Sequence, residues 1–268
     1  MTVTLGPALL FCPADRPDRF AKALERADAV ILDLEDAVAP EAREAARDAV
    51  AGSGLDPESV IVRINEMGSA DAAADLAMLQ ATAYRTIMVP KAGPGLAEVL
   101  PAGFSVIALC ESAAGVQAAA ELAASDGVVA LMWGAEDLVA SLGGTSSRFA
   151  DGRYRDVARV ARAQVLLAAG AAGIPAIDTV HLDIADLDGL RAEAEDAVAS
   201  GFAATACIHP SHVPVIRAAY APSPEQVAWA RRVLDAAAGH AGVFRFEGTM
   251  VDGPVLRHAE SVLRRAGA

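Results

Sequence analysis

Val128-Val129-Ala130-Leu131-Met132-Trp133-Gly134-Ala135-Glu136-Asp137-Leu138 is an apolar run that stops in a glycine and two carboxylates. Upstream, Val106-Ile107-Ala108-Leu109-Cys110-Glu111-Ser112 repeats the pattern with one acid at its end. Apolar runs without alternation mark strands buried on both faces, as in a parallel sheet. Six further runs share that character, at residues 8–12, 29–34, 60–64, 86–89, 176–180 and 205–208. Amphipathic, Ala-rich segments separate them, at 16–27, 40–51, 70–82, 113–124, 154–171 and 187–200. This alternation predicts an α/β protein, a (β/α)8 TIM barrel over residues 1–221. A doubly wound open sheet is the competitor, but its glycine fingerprint is missing after the first strand. Residues 222–268 read as a helical and hairpin extension, with a helix over 227–238 and a strand-like run over 242–246.

With 268 residues and 54% of them hydrophobic, the chain is large enough for one extensive core. Its net charge of −13 argues against a nucleic-acid partner, which needs a basic footprint. No stretch approaches the roughly 20 continuous apolar residues of a membrane helix, and the first residues lack a signal peptide's basic start and apolar run. Cys12, Cys110 and Cys207 are odd in number and fall within or at the end of strand-like runs. They read as small buried hydrophobes in a reducing compartment. The expectation is a cytoplasmic protein with no membrane partner.

A barrel gathers its chemistry just past the strand C-termini. Polar residues collect there after every run: Asp15 and Arg16; Glu35 and Asp36; Arg63 and Asn65; Lys91; Glu111; Glu136 and Asp137; Asp178 and His181; His209. Glu111 and Asp137 come from neighbouring strands. Such a pair of hard oxygen donors suits Mg²⁺ and leaves positions open for water and substrate; the bland alternative is that each caps the following helix. Glu35 and Asp36 reach the metal through water, fix a neighbouring arginine, or cap. Arg63 interrupts an apolar strand, so it pairs with an acid, offers its fork to a substrate carboxylate, or does both. Gly134 and Ala135 let backbone N–H groups approach a carboxylate or oxyanion.

Lys91 is one of only two lysines, with Lys22. At a strand tip it suits a Schiff-base nucleophile, a salt bridge or a cofactor phosphate. Gly143-Gly144-Thr145-Ser146-Ser147-Arg148 resembles a phosphate loop but lacks the Walker lysine. The spacing of His209-Pro210-Ser211-His212 does not match a zinc pair on one helix face, so these and His181 read as loop or structural residues.

Several motifs in order carry a resemblance. They are Phe11-Cys12-Pro13-Ala14-Asp15-Arg16-Pro17, Ile31-Leu32-Asp33-Leu34-Glu35-Asp36, Val62-Arg63-Ile64-Asn65, Val89-Pro90-Lys91, Glu111-Ser112-Ala113 and Trp133-Gly134-Ala135-Glu136-Asp137-Leu138. Cys207-Ile208-His209-Pro210 and Met250-Val251-Asp252-Gly253-Pro254 complete the series. Nearly the whole chain resembles the citrate lyase beta-subunit-like (CitE-like) branch of the HpcH/HpaI aldolase family, in its stand-alone form.

The resemblance implies a TIM barrel, Mg²⁺ and a homotrimer or multiple of it. The implied reaction makes or breaks a carbon–carbon bond in a 3-hydroxyacyl-CoA such as malyl-CoA or citramalyl-CoA, with an acyl-CoA and an α-keto acid as the small-molecule partners. It assigns Glu111 and Asp137 to the metal, with Arg63 holding the keto acid beside it. Gly134 and Ala135 contact the keto acid's carboxylate, and Asp36 is an acid close to Arg63 and the metal waters. Asp252 transfers the proton at the acetyl carbon, delivered by the C-terminal segment of a neighbouring protomer. Arg16, Lys22 and Lys91 stand as partners for the coenzyme A phosphates. The alternatives are a citryl-carrier-protein lyase subunit of a citrate lyase complex and a Schiff-base aldolase acting through Lys91.

Overall fold

The computed structural model describes residues 6–100, 102–240 and 242–267. The chain divides into two compact units, Met1–Ile216 and Arg217–Ala268, and the division falls inside the helix His212–Tyr220.

The first unit is a closed barrel of eight parallel strands: β1 (Ala8–Pro13), β2 (Ala29–Asp33), β3 (Val60–Arg63), β4 (Thr86–Val89), β5 (Ser105–Cys110), β6 (Val128–Trp133), β7 (Ala176–Asp178) and β8 (Ala204–Cys207). Each strand pairs with the next, and β8 closes on β1 through Leu9 beside Ala206. All eight correspond to the apolar runs of the sequence. β7 is shorter than its run and ends at Asp178, whose side chain binds Trp133 and Arg162.

Every second residue points inward, as the period of a strand requires. Leu9, Ile31, Ile61, Met88, Ile107, Leu109, Met132 and Ile177 fill the interior, and Ala29, Ala130, Ala204 and Ala206 make room for them. The barrel is therefore a packed core, with Asp33, Arg63 and Glu111 at its C-terminal rim. Helices at Pro17–Arg26, Arg43–Ala51, Ala70–Gln80, Asp156–Ala172 and Leu187–Ser200 match the amphipathic segments. The 113–124 segment splits into Ala113–Gln117 and Ala119–Ala123. A further short helix, Ala135–Ser141, begins directly after β6 and places Glu136 and Asp137 in its first turn. The three cysteines are buried and free. Among the described residues, no helix is long and apolar enough to cross a membrane.

The second unit is a helix, a hairpin and a helix. Pro224–Ala237 opens with a capping box between Ser223 and Gln226. Strands β9 (Phe244–Phe246) and β10 (Thr249–Val251) pair antiparallel across Glu247 and Gly248, both with positive φ, as a tight two-residue hairpin turn demands. Helix Gly253–Arg265 follows. Ala230, Val233, Phe244, Val251, Ala259 and Val262 form a small core of the unit's own.

Candidate active site

The site begins with the register of β2 and β3, which sets Asp33 beside Arg63 at the strand ends. Arg63 donates from Nε to Asp33 Oδ1 at 2.7 Å and from Nη2 to Oδ2 at 2.6 Å, a two-point fork. Its remaining nitrogen, Nη1, lies 3.0 Å from Glu35 Oε2 and 3.8 Å from Asp36 Oδ2. The guanidinium also sits over the Phe11 ring, 5.0 Å from its centroid. Burial disfavours the charge on Arg63. The bonds to Asp33 and the charges of Asp33, Glu35 and Glu111 outweigh that and hold its pKa above the usual arginine value.

Asp33 is the acid closest to Arg63, Glu35 is second, and the exposed Asp36 is the farthest of the three. The alternation of β2 makes this so, because it turns Asp33 and Glu35 to the same side. With its fork held by Asp33, Arg63 turns Nη1 towards Glu35 and the exposed Asp36.

Lys91 follows β4 with φ 49°, one of two positive-φ non-glycine residues among the described residues. Its backbone N–H donates to Glu111 Oε1 at 2.9 Å, and its ammonium pairs with Glu35 Oε1. Burial works against that charge, but the bond to Glu35 and the charges of Glu35, Asp36 and Glu111 raise the pKa above that of ordinary lysine. A Schiff base needs a neutral amine, and this environment keeps the amine protonated. Glu35 itself is pushed above the usual carboxylate range by burial, against the pull of Arg63 and Lys91.

Glu111, directly after β5, is buried and its carboxyl is pushed up to about 7. Burial is the main cause, and the charges of Asp137 and Glu35 add to it, opposed by the Lys91 N–H and by Arg63. Gly134 lies tight against it: a Cβ there would come within 2.8 Å of Glu111 Cβ and 3.0 Å of Oε2. Only glycine lets the tips of β5 and β6 approach this closely. Ala135 then opens the short helix, so its N–H has no partner within that helix.

These residues fit a divalent cation. Glu111 and Asp137 follow adjacent strands, and the charge of Asp137 helps to hold the proton of Glu111. A doubly positive ion relieves that crowding. No group of three or more His, Cys, Asp or Glu among the described residues has the geometry of a metal cage. The donor set is that of an ion bound through a few carboxylates and otherwise by water and substrate oxygens, as Mg²⁺ prefers.

Glu136, beside Asp137, and Asp178, the last residue of β7, behave differently. Asp178 accepts from Trp133 Nε1 at 2.5 Å, Arg162 Nη2 at 2.8 Å and Thr179 N at 3.0 Å. Arg162 continues to Asp196 at 2.6 Å. Glu136 accepts from Ser147 Oγ at 2.6 Å. Arg148 pairs with Glu193, bonds Tyr154 at 2.5 Å and lies over that ring, so Ser147 and Arg148 are committed within the fold rather than to a phosphate. His181 bonds Glu193 at 2.9 Å, His212 is fully buried, and His209 is exposed at the end of β8. His181 and His212 are held within the fold, and His209 bonds Ser211 in the loop after β8.

Asn65 is a brace. Its side chain donates to Leu34 O at 3.1 Å and to Asp75 Oδ2 at 2.8 Å, and Asp75 in turn accepts from Arg47 Nε at 2.7 Å. Alternation along β2 puts Asp33 on the same side as Glu35, but only the parallel register makes it the partner of Arg63, and Asp75 is betrayed only as a lone acid on the buried side of an Ala-rich helix.

Arg16 is exposed and pairs with Asp18 at 3.1 Å, and Lys22 is exposed on the first helix. Asp252 lies in the second unit as the N-cap of Gly253–Arg265, and its carboxylate makes no cap hydrogen bond.

The HpcH/HpaI aldolase/citrate lyase family matches residues 8–94 and 101–210. A citrate lyase subunit beta-like protein of Mycobacterium tuberculosis is 60% identical over 98% of this chain and 96% of its own length. A mitochondrial citramalyl-CoA lyase of Rattus norvegicus is 31% identical over 97% of this chain and 85% of its own. The crystal structure of CitE from Mycobacterium tuberculosis in complex with magnesium, acetoacetate and coenzyme A matches with a TM-score of 0.92. Its sequence identity is 58%, over 99% of this chain and 100% of that one.

Proposed function

The chain belongs to the HpcH/HpaI aldolase/citrate lyase family, and on that premise we propose that it is a Mg²⁺-dependent carbon–carbon lyase acting on a free 3-hydroxyacyl-CoA. Malyl-CoA and citramalyl-CoA are the candidate substrates, split into an acyl-CoA and an α-keto acid or formed from them. The observation that carries this reading is Glu111 packed tightly against Gly134 at the tips of β5 and β6, with Asp137 in the helix turn that follows and Arg63 locked to Asp33 at the same rim. The citramalyl-CoA lyase relative, and the CitE structure with magnesium, a keto acid and coenzyme A, support it.

Glu111 and Asp137 would hold the ion. Magnesium bound there supplies Lewis acidity to the substrate hydroxyl and a clamp for the adjacent carboxylate. Arg63 offers Nη1 to the remaining negative charge, kept in place by Asp33. Gly134 and Ala135 present small, close-approaching backbone to the keto acid carboxylate. In cleavage the hydroxyl proton departs through water to Asp36, the exposed acid nearest Arg63. The bond between the carbinol carbon and the acetyl carbon breaks, its electron pair passes to the thioester as an enolate, and the carbinol becomes the keto group.

Asp252, entering as the carboxylic acid, then gives its proton to the acetyl carbon and is left a carboxylate; the proton taken up by Asp36 passes to solvent, which reprotonates Asp252 between turnovers. Its carboxylate is free of the capping bond usual at a helix start, and the exchange of C-terminal segments within a homotrimer would bring it to a neighbour's barrel. Lys91 is committed to Glu35, which leaves Arg16 and Lys22 as the exposed cations for the coenzyme A phosphates.

The direct test is an assay of the purified protein with free malyl-CoA and citramalyl-CoA, before and after EDTA. The reading expects turnover that EDTA abolishes and added Mg²⁺ restores. Full activity after chelation would remove the metal, and activity only with an acyl carrier protein would move the reading to a citrate lyase subunit. For Asp252, the Asp252→Asn protein should bind Mg²⁺ normally yet turn over poorly. Mixing it with Glu111→Gln protein should recover part of the activity if the segments exchange; no recovery places Asp252 in its own protomer's chemistry or outside it.

A further inference from the structure

Lys91 ties together two acids that belong to different strands. Its backbone N–H holds Oε1 of Glu111, after β5, while its ammonium holds Oε1 of Glu35, after β2. The N–H reaches Glu111 because residue 91 is turned into the left-handed region, φ 49°, a conformation that Cβ-bearing residues avoid. The next residue, Ala92, is already fixed, its N–H bonded to Leu109 O at 3.0 Å. Strain of this kind persists only where the surroundings impose it. Here the ion pair to Glu35, itself 3.0 Å from Arg63, is the restraint on the side-chain end.

We propose that Lys91 is a positioning residue for the cation site: its side chain, anchored on Glu35, holds its own backbone in the left-handed turn, and that turn orients Glu111 so that Oε2 is presented to the metal. The inference rests on Glu111 being a metal ligand, as proposed above.

It has an unusual consequence. Glycine adopts the left-handed region freely, and asparagine tolerates it better than most residues. Lys91→Gly and Lys91→Asn therefore lose the ammonium but keep the backbone turn. Lys91→Ala and Lys91→Met lose both. If only charge mattered, all four would act alike, and removing a cation beside the site would tighten Mg²⁺ binding in each.

The experiment is titration of the metal-free proteins with Mg²⁺ alone by calorimetry, with melting temperatures recorded alongside. The series contains more than one member of each class, so the comparison uses whichever variants fold. The proposal expects Lys91→Gly and Lys91→Asn to stay within about two-fold of the parent affinity, and Lys91→Ala and Lys91→Met to weaken at least about five-fold. A uniform shift across the four, or none, overturns it. A parent protein that binds no Mg²⁺ would instead sink the metal reading beneath it, and the two failures are distinguishable at the first titration.

Discussion

Two clusters of acids stand at the strand tips of this barrel, and they differ in what they leave unused. Past β7, Asp178 accepts from an indole, a guanidinium and a backbone N–H. Glu193 accepts from Arg148 and His181, and although burial works against its charge, those bonds hold its pKa below the usual carboxylate range. Around β2 to β6 the balance is reversed. Arg63 and Lys91 are shared among Asp33, Glu35 and Asp36, while burial and neighbouring charge push Glu111 up to about 7. A carboxylate with every lone pair answered is a strut. One that is crowded by another acid and still short of positive charge is a place where a cation, and chemistry, can enter.

Breaking each cluster should therefore give opposite phenotypes. The largest effect belongs to Glu111→Gln, which should lower turnover by roughly three orders of magnitude and abolish Mg²⁺ binding in calorimetry, with the fold intact by circular dichroism. Asp178→Ala should do the reverse. It strands Arg162 and the Trp133 indole, and should cost about 3 kcal/mol in denaturant unfolding while Mg²⁺ affinity is kept. Loss of metal binding in that variant would erase the distinction between the clusters.

The pH response sharpens the contrast. Glu111 holds its proton more tightly folded than unfolded, with a pKa of about 7 against an ordinary 4.5. Its contribution to the stability of the metal-free protein is thus present below pH 4.5 and lost as pH rises towards 7. Glu193 has the opposite sign: its contribution is present above its unfolded value and lost as the protein is acidified. Thermal melts of metal-free parent and Glu111→Gln between pH 5 and 8 should differ in slope across this window, the parent falling more steeply. Over the same range Mg²⁺ affinity should weaken by about tenfold for each pH unit below 7, because proton and ion compete for one carboxylate. The smallest change is Ser147→Ala, which removes one donor to Glu136 and should cost about 1 kcal/mol or less, with no effect on metal binding.

The barrel was readable in the sequence because its strands are unbroken apolar runs, and Glu111, Asp137 and Arg63 stand out as candidates because a charge directly after or within such a run must be accounted for. What escaped depended on pairing between strands. Asp33 is the partner of Arg63 only because β2 and β3 align those two positions, and this gave it precedence over the more conspicuous Asp36. The left-handed turn at Lys91 has no local signature, since no glycine or asparagine announces it. The difference between Asp178 as a strut and Glu111 as an open acid was likewise invisible, because both read as one acid at the end of one strand. Asp252 was singled out by its motif, and its role rests on the proposed exchange of C-terminal segments.

The central claim is tested most directly by anomalous diffraction from crystals soaked in Mn²⁺ as a stand-in for Mg²⁺. The account predicts a single strong peak between the carboxylates of Glu111 and Asp137, on the Oε2 side of Glu111 beside Gly134. A peak elsewhere, or none at concentrations that support turnover, would contradict it.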